Sequence, residues 1–158
     1  MEKRSVLFIC VHNSARSQMA QALLNTLAGN RFAAESAGLE AGILNPLAVE
    51  AMAEIGIDIS RNTTRKAFDV YKSGKRFHDV IAVCEAGSAQ KCPTFPNTLR
   101  FLNWSFPDPA LLQGTHEEKM KQVRKIRDAI KERLIAWIAE AEEDTASQAD
   151  IPPVKFGV

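Results

Sequence analysis

Cysteine is scarce in this chain, three residues among 158, which excludes a small secreted scaffold held together by disulfides. The odd count leaves one thiol over in any pairing scheme. Excess charge is missing as well: 20 Lys and Arg face 19 Asp and Glu, and a net charge of +1 offers little for wholesale phosphate neutralisation. Nucleic acid is therefore not expected as a partner. No apolar run approaches the ~20 residues of a membrane span. The run from Val6 to Val11 is also shorter than the ~7–15-residue core of a signal peptide. A soluble, cytoplasmic protein with no membrane partner is expected, in a compartment where thiols stay reduced and a cysteine pair is redox-active rather than structural. His78 and His116 show no ligand spacing, and no Cys and His cluster points to zinc, so no metal is expected.

What the chain does have is a composition, 46% hydrophobic and 25% charged, that suits one folded domain burying ~70% of the unfolded surface. Two segment types alternate along it. Val6 to Cys10 is a continuous apolar run rich in β-formers, followed by polar residues and then by Met19, Ala20, Leu23, Leu24 and Leu27 at helical spacing. Phe32 to Ser36 reads as a second strand. Asn45-Pro46 supplies an N-cap and a first-turn proline for a helix from Pro46 to Ile55 that stops at Gly56. His78 to Cys84 and Leu99 to Trp104 read as further strands. Met120, Val123, Ile126, Ile130, Leu134, Trp137 and Ile138 mark a long closing helix, with Glu117 and Glu118 in its first turn. The expected fold is an α/β three-layer sandwich with a central, mostly four-stranded parallel sheet and helices on both faces, ligands binding beyond the carboxyl ends of the strands. Residues 1–142 form the expected single catalytic domain. Residues 143–158, polar and proline-containing, show no helical periodicity and are expected to form a flexible tail.

The strongest local signal is Cys10-Val11-His12-Asn13-Ser14-Ala15-Arg16-Ser17, set between a strand and a helix. A loop of that length can curl so that its N–H groups converge, while the helix N-terminus adds partial positive charge and Arg16 closes the ring with a bidentate guanidinium. Such a cradle suits a tetrahedral oxyanion. The same field and the Ser17 hydroxyl favour the thiolate of Cys10, the form that attacks. The glycine and lysine of a nucleotide-binding loop are absent.

This C-x5-R-S loop, with the later Asp108-Pro109, resembles the low-molecular-weight protein tyrosine phosphatase superfamily, and "CVHNSARSQMA" is most similar to its thioredoxin-coupled arsenate reductases. The likeness extends through "SAG" at Ser36 to Gly38, "NPLA" at Asn45 to Ala48, "IGIDIS" at Ile55 to Ser60 and Cys92-Pro93. Phosphatases of the group usually carry a second cysteine in the loop and a proline after its serine; Ala15 and Gln18 stand there instead.

The resemblance implies a relay. Cys10 attacks arsenate within a site formed by Val11, His12, Asn13, Ser14, Ala15 and Arg16, Cys84 then attacks Cys10 to release arsenite, and Cys92 resolves the disulfide. Asp108, held in a rigid turn between Pro107 and Pro109, is implied to be the general acid. Thioredoxin is the implied electron donor, no cofactor is tightly bound, and the chain is expected to be a monomer. If Cys84 and Cys92 ended a helical segment, eight residues at ~1.5 Å would separate them by ~12 Å, whereas a disulfide needs Cα atoms within ~7 Å. The segment is therefore expected to be ordered when reduced and to loop out on oxidation. Asn13 and Ser36 match positions that in some relatives help to bind potassium, but Gln21 and Arg65 replace the acidic ligands. The alternative function is a low-molecular-weight phosphatase, which needs only Cys10, Arg16 and Asp108; residual phosphatase activity is expected on either reading.

Overall fold

In the computed structural model, which describes residues 2–84, 95 and 98–149, strands and helices alternate. Strand β1 (Arg4–Cys10) leads to helix α1 (Arg16–Ala28), strand β2 (Phe32–Gly38), and helices α2 (Pro46–Ala53) and α3 (Ala67–Lys72). Strands β3 (Asp79–Ala82) and β4 (Arg100–Asn103) follow, then a 3-10 turn at Pro109–Leu111 and helix α4 (His116–Ala149). The sheet has the order β2-β1-β3-β4, and every pairing is parallel.

The unbroken apolar run of β1 follows from its position. Residues Val6 to Cys10 are buried, because both faces of the strand are covered. Val6, Phe8 and Cys10 join a cluster with Leu23 and Leu24 of α1 and with Ile130, Leu134 and Trp137 of α4. Leu7 and Ile9 point the other way, into a cluster with Ala67 and Val70 of α3 and with Phe77. Burying side chains of this size stabilises the fold by about 1.5–3 kcal/mol each. The three layers are those expected from the sequence.

The strand order positions the site. β2 pairs with one side of β1 and β3 with the other, so the chain reverses direction across the sheet at β1. Ligands of such sheets bind at the carboxyl ends of the strands flanking that switch point. Here those ends are Cys10 on β1 and Ala82 on β3, with Ile9 in register with Ala82.

Several boundaries differ from the sequence reading. The strand expected over 78–84 is confined to Asp79–Ala82, and the one over 99–104 to Arg100–Asn103. Backbone bonds nonetheless continue past the ends, Val83 donating to Ile9 at 2.8 Å and Trp104 to Ala82 at 2.7 Å. Helix α3 was not anticipated, because six residues are too few to display a helical period. The helix over 46–55 ends at Ala53, two residues short of its expected limit. The closing helix also passes Glu142, where a tail was expected, and runs to Ala149. Ala and Glu have high helix propensity, and Glu142 forms an ion pair with Arg31. Residues 150–158 of that expected tail lie outside the described residues.

Candidate active site

The loop from Cys10 to Ala15 owes its shape to the segment that embraces it. Leu39, Glu40, Gly42 and Asn45 donate their N–H groups to the carbonyls of Cys10, Val11, His12 and Ser14 at 2.8–3.0 Å. With those carbonyls engaged, the Asn13 N–H of the loop points at the Cys10 sulfur. The approach is close enough to exclude a side chain at Gly38, where a β-carbon would lie 2.5 Å from the Asn13 nitrogen. Asn13 itself takes φ 54, the left-handed region that Asn tolerates better than most residues.

Helix α1 starts without a side-chain cap: Ala15 occupies the N-cap, and its first turn holds no acidic residue. Asn45, by contrast, caps α2 by accepting from the Leu47 N–H at 2.9 Å. The donors at the start of α1 and the positive end of its dipole are thus available to an anion.

Cys10 is 2% exposed and sits at the centre of this arrangement. The Asn13 N–H donates to its Sγ at 3.1 Å, and the Ser17 Oγ lies 2.9 Å from the same sulfur. The Asn13 N–H thus places a donor directly on the sulfur. Arg16 is buried and extends toward the loop that carries Asp108. Its Nη1 donates to the Phe106 carbonyl at 3.1 Å, and its Nη2 lies 3.5 Å from Asp108 Oδ2. Asp108 Oδ1 accepts from the Ala110 N–H at 2.9 Å, which fixes the carboxyl at the start of the 3-10 turn. The structure thus pairs Cys10 with Ser17 and Arg16 with Asp108. His12 is at its rim, with Nδ1 3.6 Å from Glu40 Oε2. Val11 and Ser14 are half-buried, and Ala15 is buried.

Cys84 is fully buried, just beyond β3, and shares the core cluster of Cys10. Asn103 holds its backbone by donating to the Cys84 carbonyl at 3.0 Å and to that of Ala82 at 3.1 Å. Cys92, and the segment from 85 to 92 expected to loop out, lie outside the described residues.

Two contributors escaped the sequence reading. Gln18 stood out there only as the residue in place of a proline. In the structure it is buried, and its Nε2 donates to the Asn13 carbonyl at 3.1 Å, to Asn13 Oδ1 at 3.2 Å and to the Thr63 carbonyl at 3.1 Å. Asn62 in turn donates to Gln18 Oε1 at 3.1 Å. No local motif marks such a contact, since 44 residues separate the two amides.

The neighbourhood of Ser36 does not fit a bound potassium ion. The Ser36 Oγ donates to Gln21 Oε1 at 2.5 Å, while Arg65 Nη2 donates to the Ser36 carbonyl at 3.0 Å and Nη1 to Glu35 Oε1 at 3.2 Å. A guanidinium already serves the oxygen that a cation would need. Among the described residues, no group of three or more His, Cys, Asp or Glu could hold a metal ion. No described helix is long and apolar enough to cross a membrane.

Comparison with known proteins agrees with this fold. The chain is 41% identical over 135 residues to an arsenate reductase of Bacillus subtilis (strain 168), an alignment covering 85% of this chain and 94% of that protein. The solved structure of an arsenate reductase in its oxidised state superposes with a TM-score of 0.73 at 31% identity, covering 87% of this chain and 98% of the other. A thioredoxin-dependent arsenate reductase of Corynebacterium glutamicum gives a TM-score of 0.56 at 30% identity, over 85% of this chain and 63% of that one. With the low molecular weight phosphotyrosine protein phosphatase model matching residues 5–147, the chain belongs to that family.

Proposed function

We propose that the protein reduces arsenate to arsenite through a cysteine relay and is recycled by thioredoxin. The observation that carries this reading is the placement of Cys84 in the same buried cluster as Cys10, beyond the end of the neighbouring parallel strand. A phosphatase needs no second thiol there. The relatives named arsenate reductase lend further support.

The chemistry runs as follows. Arsenate enters the cradle of loop N–H groups and the Arg16 guanidinium. The Cys10 thiolate attacks arsenic, an As–O bond breaks, and Asp108 protonates the departing oxygen, so that water leaves and an S–As(V) bond remains. The Cys84 thiolate then attacks the Cys10 sulfur. As the S–As bond breaks its electron pair stays on arsenic, which leaves as arsenite while the two thiols become the Cys10–Cys84 disulfide. Cys92 attacks Cys84, freeing Cys10 as a thiolate and leaving Cys84–Cys92 for reduction by the dithiol of thioredoxin. Arsenic gains two electrons, and thioredoxin supplies two.

The test is arsenate-dependent NADPH oxidation in the presence of thioredoxin and its reductase, set beside aryl phosphate hydrolysis by the same preparation. Sustained arsenate turnover with slow ester hydrolysis is expected. Negligible arsenate turnover beside rapid hydrolysis would instead assign the protein to phosphatase chemistry, which Cys10, Arg16 and Asp108 could perform alone.

A further inference from the structure

The nucleophile's environment extends two residues further than the atoms that touch it. Ser17 Oγ accepts from Asn13 Nδ2 at 2.8 Å and lies 2.9 Å from Cys10 Sγ. A thiolate cannot donate, so the hydroxyl hydrogen of Ser17 must point at the sulfur when Cys10 is ionised. That direction depends on which end of the Asn13 amide faces Ser17. The Arg65 N–H donates to Asn13 Oδ1 at 3.0 Å and Gln18 Nε2 donates to the same oxygen at 3.2 Å, which turns Nδ2 toward Ser17.

The Gln18 amide is oriented in the same way. Its nitrogen faces three oxygens, two from Asn13 and one from Thr63, whereas its oxygen faces the Asn62 amide donor. A flipped Gln18 would set oxygen against three oxygens and nitrogen against a donor. Gln18 is 1% exposed, so water could not readily relieve that conflict. Gln18 also grips the carbonyl of Asn13, the one non-glycine residue with positive φ among those described.

We infer that Gln18, oriented by Asn62, is a positioning residue that locks Asn13 so that the hydrogen bonds of Asn13 and Ser17 converge on the Cys10 thiolate. The inference rests on Cys10 being the nucleophile, and it holds whether the oxyanion attacked is arsenate or a phosphate ester. Each donor in the series Asn62, Gln18, Asn13, Ser17 points one step nearer the sulfur. The loop from 58 to 65, remote in sequence, thereby bears on the reactivity of residue 10.

The experiment is alkylation of the reduced full-length protein by iodoacetamide at pH 7 and at pH 10, with the Cys10 peptide quantified by mass spectrometry. Gln18→Met keeps the length and removes every hydrogen bond. Its Cys10 should react about fivefold more slowly than the parent at pH 7, as loss of support for a charged acceptor predicts. At pH 10, where an unassisted thiol is also ionised, the two rates should agree within about twofold. Asn62→Ala, at a half-buried position, should show the same pattern in weaker form, and thermal melting reports whether each variant is folded. A parent-like rate at pH 7 in a folded Gln18→Met would overturn the inference, as would a slowing equal at both pH values, which indicates lost access rather than lost thiolate. If Gln18→Met does not fold, Asn62→Ala decides by the same two criteria. Alkylation requires no arsenate, so a parent that fails to reduce arsenate but shows this pattern would remove the proposed function and leave the positioning role standing.

Discussion

Arg16 and Asp108 face each other across the candidate site, with Nη2 3.5 Å from Oδ2, while the same guanidinium donates to the Phe106 carbonyl two residues before the acid. On the proposed function, one side chain therefore both completes the anion cradle and ties the loop of the proposed acid to it. Arg16→Lys keeps the charge but cannot serve the oxyanion and the Phe106 carbonyl with one planar fork. Its kcat/KM for arsenate should fall by about 10²–10³-fold, the scale of losing a preorganised donor to developing charge. Steady-state kinetics check this, and a loss below tenfold would mean that Arg16 supplies charge alone.

Asp108→Asn separates proton donation from structure. The amide oxygen of Asn can still accept from the Ala110 N–H, so the 3-10 turn should be retained while the pair with Arg16 is lost. Turnover should drop by about 10²–10⁴-fold through loss of the acid. Aryl phosphates with leaving groups of graded basicity provide the check: the deficit should be largest for the most basic phenolate and smallest for nitrophenolate.

Gly38→Ala tests the embrace of the nucleophile loop. The added carbon meets backbone atoms, the Asn13 nitrogen and the Glu40 carbonyl oxygen, each at 2.5 Å, and neither can yield as a side-chain tip would. Denaturant titration should show a loss of more than about 2 kcal/mol, the range of steric conflict at a buried site. Stability within error of the parent would mean that the segment from 38 to 42 can move away freely.

Acid should weaken the contact between α2 and α4. Hydrogen bonding from Arg124 holds the Glu54 carboxyl below its ordinary range, outweighing the opposing effect of burial, with Arg127 assisting. The folded state thus favours the ionised carboxylate. The stabilisation is complete above the unfolded-state value and is lost as pH falls through the lower folded-state value. Glu54→Gln should lower the melting temperature at pH 7, with the difference shrinking toward zero once the pH is below the carboxylate range. A constant difference at all pH values would place the effect in packing rather than charge.

The sheet, its layers and the nucleophile loop could be read from the sequence because each rests on local pattern. Val6 to Cys10 is apolar on both faces, and Cys10 to Ser17 is contiguous. Asp108 was legible through its flanking prolines and the family resemblance. Gln18 and Asn62 were not, since their significance arises only when the fold joins residues 44 apart. Helix α3 fell below the length at which periodicity shows, and α4 ran on past the last apolar residue of its sequence stripe, where propensity and an ion pair favour it.

The relay is tested most directly by Cys92→Ser, reduced, freed of reductant and mixed with excess arsenate. One arsenite should form per chain, and non-reducing peptide mapping should find the trapped Cys10–Cys84 disulfide. Repeated turnover when thioredoxin and its reductase are added back, or one turnover without that disulfide, would contradict the relay.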